Sequence, residues 1–400
     1  MRTPSLFEEE RLTLSRSIEL SESSLSHYGA LYKHWAVAFS GGKDSSATVT
    51  LLCHLMETGR IPKPDSLTVL YADTRQELPP LHAAALGIME ALRKRGIDTR
   101  VVLPELDYRY FVYMLGRGVP PPSNTFRWCT PKLKVMNMER ELEKVRQQYG
   151  EKLLMLTGVR IGESAARDQR IAISCTKDGG ECGQGWFQQT SSHAVADTLA
   201  PILHWRICNV WDWLMFEAPK LGFPTEEIAA VYGMTNEGSE SEEPLALRTG
   251  CIGCPLVQED RALEAVISEP QWAYLAPLSK LRPLYREIKK RQYRHRKHGE
   301  VKKDGTLAAK QNRLGPLTME ARRWMLGQVL EIQEDVNQAA RRENRPTISL
   351  INEEERVRIE ELIAANTYPE KWDGTEPRGD EWLPEILPDG SIQLLLFDKL

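Results

Sequence analysis

Val37-Ala38-Phe39-Ser40-Gly41-Gly42-Lys43-Asp44-Ser45-Ser46 reads as the end of a strand, a glycine turn and the start of a helix. Two adjacent glycines let the backbone take positive φ and come close to a ligand. Successive N–H groups in such a turn make a concave anion site. The helix start adds its partial positive charge. Ser40, Ser45 and Ser46 supply hydroxyl donors, and Lys43 supplies a mobile cation. The stretch is not a Walker A loop, which needs Gly where Val37 stands and Ser or Thr where Asp44 stands. Ser40, Gly41, Gly42, Lys43, Asp44, Ser45 and Ser46 are therefore candidate ligands of a phosphate chain.

Working outward, strand-like and helix-like segments alternate. Trp35–Phe39, Leu67–Ala72, Thr99–Leu103 and Lys152–Thr157 read as strands. Ser45–Glu57, Leu81–Arg95 and Lys134–Gln148 read as helices. Alternation of this kind implies βαβ units, so the expected class is α/β with a doubly wound, mostly parallel sheet. Ligands of such sheets sit at the carboxyl ends of the strands. From about Gly179 to Gly253 the pattern reads as irregular and rich in Gly, Trp and Cys. After Leu278 it turns helical and charged, with helices expected over Leu317–Arg342 and Glu353–Ala365 and an extended tail over Tyr368–Leu400. The expected division is a helical lead-in (1–34), a nucleotide domain (35–215), a Cys-containing extension (216–278) and a basic helical region with an acidic tail (279–400).

The 400 residues leave room for two or three cores. The net charge of -4 does not by itself advertise a polyanion partner. The longest apolar runs, such as Leu67–Ala72, fall far short of the roughly 20 residues a spanning helix needs. Met1–Glu10 is polar and acidic without a signal-peptide core. A cytoplasmic protein with no membrane partner is expected. Seven cysteines, an odd number, argue against a disulfide framework.

Further motifs follow the strands. Asp73-Thr74-Arg75 ends the second one, where Asp and Thr suit either a ligand pocket or a helix N-cap. Arg127-Trp128-Cys129-Thr130-x-x-Leu133-Lys134 follows the proline-rich Pro120–Pro122. Its cations suit phosphate, and Cys129 suits sulfur transfer or metal binding. Gly158-Val159-Arg160-x-Gly162-Glu163-Ser164-x-x-Arg167 follows the fourth strand. Arg160 and Arg167 suit an α-phosphate and the charge of its transition state, with Glu163 to orient them. Trp205, Trp211 and Trp213 read as core.

Cys251-Ile252-Gly253-Cys254-Pro255 is a compact knuckle. With Cys175 and Cys182 it could supply four thiolates to zinc or to a [4Fe–4S] cluster, with Cys129 as an alternative ligand. Cys53 and Cys208 lie in apolar segments and read as buried small hydrophobes. Lys280–Lys303 holds eleven Lys or Arg with Tyr285 and Tyr293 interleaved, a stripe suited to a nucleic-acid backbone or to a solvated face.

The Ser-Gly-Gly-Lys-Asp-Ser loop resembles the pyrophosphate loop of the N-type ATP pyrophosphatases. Asp73-Thr74 and Pro201-Ile202-x-x-Trp205 with Val210-Trp211 resemble segments of the phosphoadenylyl-sulfate reductases and their relatives. Joined in order by Arg127–Lys134, Gly158–Arg167, Cys251–Cys254, Asp260–Ile267 and Gly315–Arg323, they resemble the DNA phosphorothioation sulfurtransferases of the DndC and SspD type over most of residues 30–330. That resemblance implies an adenine nucleotide α-hydrolase-like fold, ATP with Mg2+, and cleavage to AMP and pyrophosphate. It implies catalytic roles for Lys43, Asp44, Arg160, Arg167 and Cys129. Nucleotide contacts are implied for Ser40–Ser46, Asp73, Thr74, Gly158 and Arg160. It also implies an iron–sulfur cluster, replacement of a DNA backbone oxygen by sulfur in phage defence, and partners that include a cysteine desulfurase. One departure concerns the ligand set. Asn236–Thr249 lacks the extra Cys that DndC proteins tend to carry before the knuckle, so Cys175, Cys182 or Cys129 must substitute. Competing expectations are a phosphoadenylyl-sulfate reductase, a tRNA thiolase, and a non-catalytic DNA- or partner-binding subunit with structural ATP. Against the reductase, the Glu181-Cys182-Gly183 tripeptide lies mid-chain and no Cys follows Cys254.

Overall fold

The structure, a computed structural model, describes residues 12–162, 169, 180–181, 186–191, 194–232, 250–302, 304–308, 312–386 and 391–393. The chain divides into two compact units. The first comprises Met1–Asp73, Glu77–Leu103 and Val135–Gly250; the second comprises Thr74–Gln76, Pro104–Lys134 and Cys251–Leu400. Pro104–Lys134, read from the sequence as part of a continuous 35–215 domain, thus clusters with the second unit.

In the first unit, helix α1 (Leu14–Gly29) precedes strand β1 (His34–Phe39), helix α2 (Lys43–Glu57), strand β2 (Ser66–Ala72), helix α3 (Pro79–Lys94) and strand β3 (Asp98–Val102). Helix α4 (Met136–Tyr149) and strand β4 (Leu153–Thr157) follow. Strands β5 (Gly180–Glu181), β6 (Trp186–Gln188) and β7 (Ala196–Ala200) complete a sheet of order β3-β2-β1-β4-β7-β6-β5 among the described strands. The pairs β1–β2, β2–β3, β1–β4 and β4–β7 are parallel, whereas β6 pairs antiparallel to β7 and β5. The doubly wound α/β expectation holds.

Val37, Val69, Leu70, Leu154 and Leu156 are fully buried, as expected for strands covered on both faces. Each such aliphatic side chain contributes roughly 1.5–3 kcal/mol on leaving water. On one side Leu142 and Val145 of α4 pack with Ala36, Leu70, Val102 and Leu153. The segment from Gly179 to Gly253, read as irregular, carries β6, β7 and the short helices Ile207–Asp212 and Glu226–Val231. Asp197 interrupts the apolar pattern of β7 and hides the strand. Its buried carboxylate is held by Lys152, Tyr32 and Thr190.

In the second unit, helices Met319–Arg342 and Glu353–Ala364 pack on a π-helical turn, Val112–Gly116. Arg322 is fully buried there and donates to the carbonyls of Leu317, Gly116 and Thr367. A Cβ on Gly118 would lie 2.1 Å from its Nη2. The capping box Asn352/Glu355 starts the last long helix, and Glu355 also pairs with Arg75 at 2.8 Å. The described part of the tail includes a short antiparallel pair, Glu385–Ile386 with Ile392–Gln393.

Candidate functional site

β1 lies between β2 and β4, and the chain leaves those neighbours in opposite directions across the sheet. The loop that follows β1 therefore sits at the topological switch point, where open α/β sheets bind ligands. Helix α2 begins at Lys43 with Gly42 as N-cap, two residues earlier than the apolar pattern indicates. Gly42 has no side chain to cap the helix, which leaves amides at its start suited to an anion. Gly41 has φ +73°, and a Cβ there would lie 2.7 Å from that of Ala85 in α3, so both conformation and space demand glycine.

The serines brace the turn. Ser45 Oγ accepts from the Ser40 amide at 3.2 Å, lies 3.1 Å from Ser40 Oγ, and donates to the Gly42 carbonyl at 3.0 Å. Ser46 is fully buried, and its hydroxyl has no hydrogen-bond partner among the described residues.

Lys43 and Asp44 are both largely buried. Lys43 Nζ lies 3.2 Å from Asp44 Oδ2, and Arg160 Nε lies 2.5 Å from Asp44 Oδ1. Arg160 Nη1 also donates to the Trp205 carbonyl at 3.1 Å, which fixes the plane of the guanidinium. Gly158 packs directly on the loop: a Cβ there would lie 2.8 Å from Asp44 C and from Ser45 N. Two cations thus flank one carboxylate at a helix N-terminus. The structure brings Ser40–Ser46, Gly158 and Arg160 together. Arg167 and Glu163 lie outside the described residues.

Asp73 ends the β2 side of the first unit, its amide bonded to the carbonyls of Tyr71 and Val102. Thr74 opens the second unit and is fully buried. Neither caps the next helix, whose N-cap is Leu78 with Pro79 and Pro80 behind it. Arg75 adopts φ +58°, unusual for a residue with a Cβ.

The tryptophans are core as expected. Trp205 donates to Ser17 O and Ser21 Oγ, and Trp213 donates to Thr50 Oγ1 at 2.8 Å. Sequence reasoning missed Tyr232, at the end of helix Glu226–Val231. Its ring centroid lies 5.1 Å from Lys43 Nζ, and its hydroxyl lies 3.5 Å from the Lys43 amide. No local pattern marks it, because the contact spans 189 residues.

The second unit holds Cys129, Cys251 and Cys254 around two buried tyrosines. The Tyr110 phenol is pushed well up by burial and then by Tyr285 and the charges of the three thiols. Burial, followed by Cys254, raises the Cys129 thiol. The knuckle is ordered by Asp260, which accepts from the Gly253 amide, and by the Ile252 amide donating to the Gln76 carbonyl. Three thiols therefore share a neighbourhood. Among the described residues, however, no group of three His, Cys, Asp or Glu is arranged to hold a metal ion. Cys175 and Cys182 lie outside the described residues. The described thiols alone do not make a closed ligand set for zinc or a cluster.

Cys208 is a correction. It is exposed, because the buried face of helix Ile207–Asp212 is formed by Asn209, Val210 and Trp211. Cys53 is buried as expected.

The basic run is not one helical face. It comprises the helix Leu281–Glu287, a turn at Arg291–Tyr293 and the strand Arg294–Arg296. Many of its cations are engaged internally. Arg282, Arg286, Lys289, Arg291, Arg294 and Arg296 donate to carbonyls, and Lys297 pairs with Glu376 at 2.6 Å. No helix among the described residues is long and apolar enough to cross a membrane.

Residues 34–220 match the family model of the phosphoadenosine phosphosulfate reductase domain. An uncharacterised protein of Methanocaldococcus jannaschii is 25% identical over 211 residues, 51% of this chain and 43% of its own length. The chain thus spans less than half of that curated relative. Among solved structures, phosphoadenylyl-sulfate reductase from Candida auris, in a phosphate complex, shows 11% identity and a TM-score of 0.31, covering 54% of this chain and 95% of its own. The U34-tRNA thiolase NcsA from Methanococcus maripaludis, with its [4Fe-4S] cluster, shows 14% and 0.32 over 69% and 76%. The NMN synthetase of Francisella tularensis shows 12% and 0.30 over 64% and 93%. The match to the phosphoadenosine phosphosulfate reductase domain model thus spans the parallel strands and the loop after β1, just under half of the chain.

Proposed function

We propose that this chain is an ATP pyrophosphatase that activates a DNA backbone phosphate for sulfur transfer. The observation that carries the first half is the Lys43–Asp44–Arg160 arrangement at the start of α2, at the switch point of the sheet. The loop amides and Lys43 are suited to the β- and γ-phosphates, and Arg160 to charge developing on the α-phosphate. Asp44 keeps both cations oriented before the substrate arrives. Mg2+ would accompany the nucleotide as part of the substrate.

In the proposed reaction a non-bridging phosphodiester oxygen attacks the α-phosphorus. The bond from that phosphorus to the α,β-bridging oxygen breaks, and pyrophosphate leaves with the electron pair. A cysteine desulfurase partner supplies sulfur as a persulfide, a thiol reductant gives two electrons that release it as hydrosulfide (the thiol being oxidised to a disulfide), and the hydrosulfide attacks the DNA phosphorus. AMP departs and a phosphorothioate remains. Support for DNA comes from the ordered motifs from Ser40 to Arg323 and their likeness to phosphorothioation sulfurtransferases. Cys129, Cys251 and Cys254 provide thiols suited to that sulfur chemistry. If a fourth ligand completed an iron–sulfur cluster, it would be held by the Cys251–Cys254 knuckle with Cys129, Cys175 or Cys182.

The test has two arms. The purified chain, given α-labelled ATP and DNA, is expected to release AMP and pyrophosphate. Cellular DNA digested to dinucleotides is expected to contain phosphorothioates only when the gene is present. ADP and phosphate as products would refute the pyrophosphatase. AMP release stimulated by tRNA but not DNA would reassign the acceptor to tRNA.

A further inference from the structure

We propose that Tyr232 is a positioning residue of the phosphate loop, which holds Lys43 by its ring and occupies the Lys43 amide until a phosphate displaces it. The inference deepens the nucleotide half of the function proposed above and rests on it. Tyr232 is 2% exposed and follows helix Glu226–Val231, its own amide bonded to the carbonyls of Ile228 and Ala229. Trp211 meets its ring edge-on, with centroids 5.1 Å apart at 67°. Packing against Trp211 and the end of its helix thus orients the Tyr232 ring.

Two contacts give this placement a function. The Lys43 ammonium stands 5.1 Å from the ring centroid, within the range where an aromatic face attracts a cation. Lys43 is thus held between the Tyr232 ring and Asp44 Oδ2. The second contact is the Lys43 amide, which donates to the Tyr232 hydroxyl at 3.5 Å. A Cβ on Gly42 would also stand 3.5 Å from that hydroxyl, so the phenol oxygen lies over the Gly42–Lys43 peptide. An amide at a helix start is what an anion takes. A neutral contact of this length is weak and yields to a charged phosphate oxygen. The ring helps at every stage, whereas the hydroxyl competes with the ligand.

The two parts separate by substitution. Tyr232→Phe keeps the ring and removes the competitor; Tyr232→Leu removes both. Calorimetric titration of the full chain with inorganic pyrophosphate reads binding without chemistry, and steady-state pyrophosphate release reads kcat and KM. Tyr232→Phe is expected to bind pyrophosphate about threefold more tightly, the size of one weak neutral hydrogen bond. Tyr232→Leu is expected to lose about tenfold in kcat, the upper range of a partly buried cation–π contact. The melting temperature of each variant identifies a folding failure. If Tyr232→Leu does not fold, the Phe variant still decides. Weaker pyrophosphate binding by Tyr232→Phe, or both variants equal to the wild type, would overturn the inference. A wild-type chain that binds neither pyrophosphate nor ATP would instead refute the nucleotide site itself.

Discussion

Arg160 Nε lies 2.5 Å from Asp44 Oδ1, a pair 116 residues apart that ties the end of β4 to the start of α2. A lysine at 160 would keep the charge but could not serve Asp44 and the Trp205 carbonyl together from one rigid plane. Arg160→Lys is expected to fold and to lose about a hundredfold in pyrophosphate release, typical of one misplaced transition-state contact. Initial rates at saturating ATP, with circular dichroism as a fold control, check it. Near wild-type turnover would remove Arg160 from the reaction.

Gly158 is required by space. An added methyl would stand 2.8 Å from backbone atoms of Asp44 and Ser45, which cannot swing away as a side chain can. Gly158→Ala is expected to cost about 1–3 kcal/mol as an overpacking change and to weaken nucleotide binding with it. Gly150 is the contrast, with φ +72° at the end of α4 and open space around it. Gly150→Ala is expected to cost about 1–2 kcal/mol from backbone strain alone and to leave turnover unchanged. Denaturant titration and ATP turnover on both variants give the comparison.

What could be read from the sequence divides along these lines. Ser40–Ser46 was legible because its glycines, hydroxyls and cation are contiguous, and the strands on either side of it, β1 and β4, announce themselves by apolar runs, Trp35–Phe39 and Leu153–Leu156. The Asp44–Arg160 pairing was only half legible: both residues stand out in their motifs, but their contact is tertiary. Tyr232 carried no local signal. Cys208 misled because an apolar neighbourhood in sequence says nothing about which side of a short helix faces water. The basic run misled as a continuous stripe because backbone carbonyls, invisible to charge counting, accept from most of its arginines.

The cysteines differ in a way that alkylation can read. Burial, then Glu57, pushes the Cys53 thiol up to about 12, while Cys208 is exposed. Iodoacetamide under native conditions is expected to modify Cys208 and spare Cys53 until the chain unfolds. The same shift has a stability consequence. The folded state keeps the Cys53 proton where the unfolded state loses it, so this contribution is full below about pH 9 and is lost as pH rises towards about 12. Cys53→Ala is expected to flatten that part of the stability profile. An equal slope in both proteins would refute the assignment.

DNA binding is best tested with the cations that the fold leaves on the surface. Lys289 and Arg291 donate to the Pro122 and Gly379 carbonyls, so removing them would damage the second unit along with any DNA contact. Lys280 and Lys290 differ, with side chains 60% exposed and paired, among the described residues, to Asp335 and Glu287. Exposed pairs of this kind contribute little to stability. Lys302 is likewise exposed. Lys280→Gln, Lys290→Gln and Lys302→Gln combined are therefore expected to leave the melting temperature nearly unchanged. If these lysines meet backbone phosphates, the slope of log affinity against log salt is expected to fall by up to about three, close to one for each phosphate no longer neutralised. ATP cleavage without DNA is expected to persist, since none of the three lysines belongs to the unit that carries the phosphate loop. DNA binding by the triple variant with an unchanged salt slope would rule these lysines out. The run would then be a scaffold of arginine-to-carbonyl bonds, and the DNA contact would belong to another surface or to a partner.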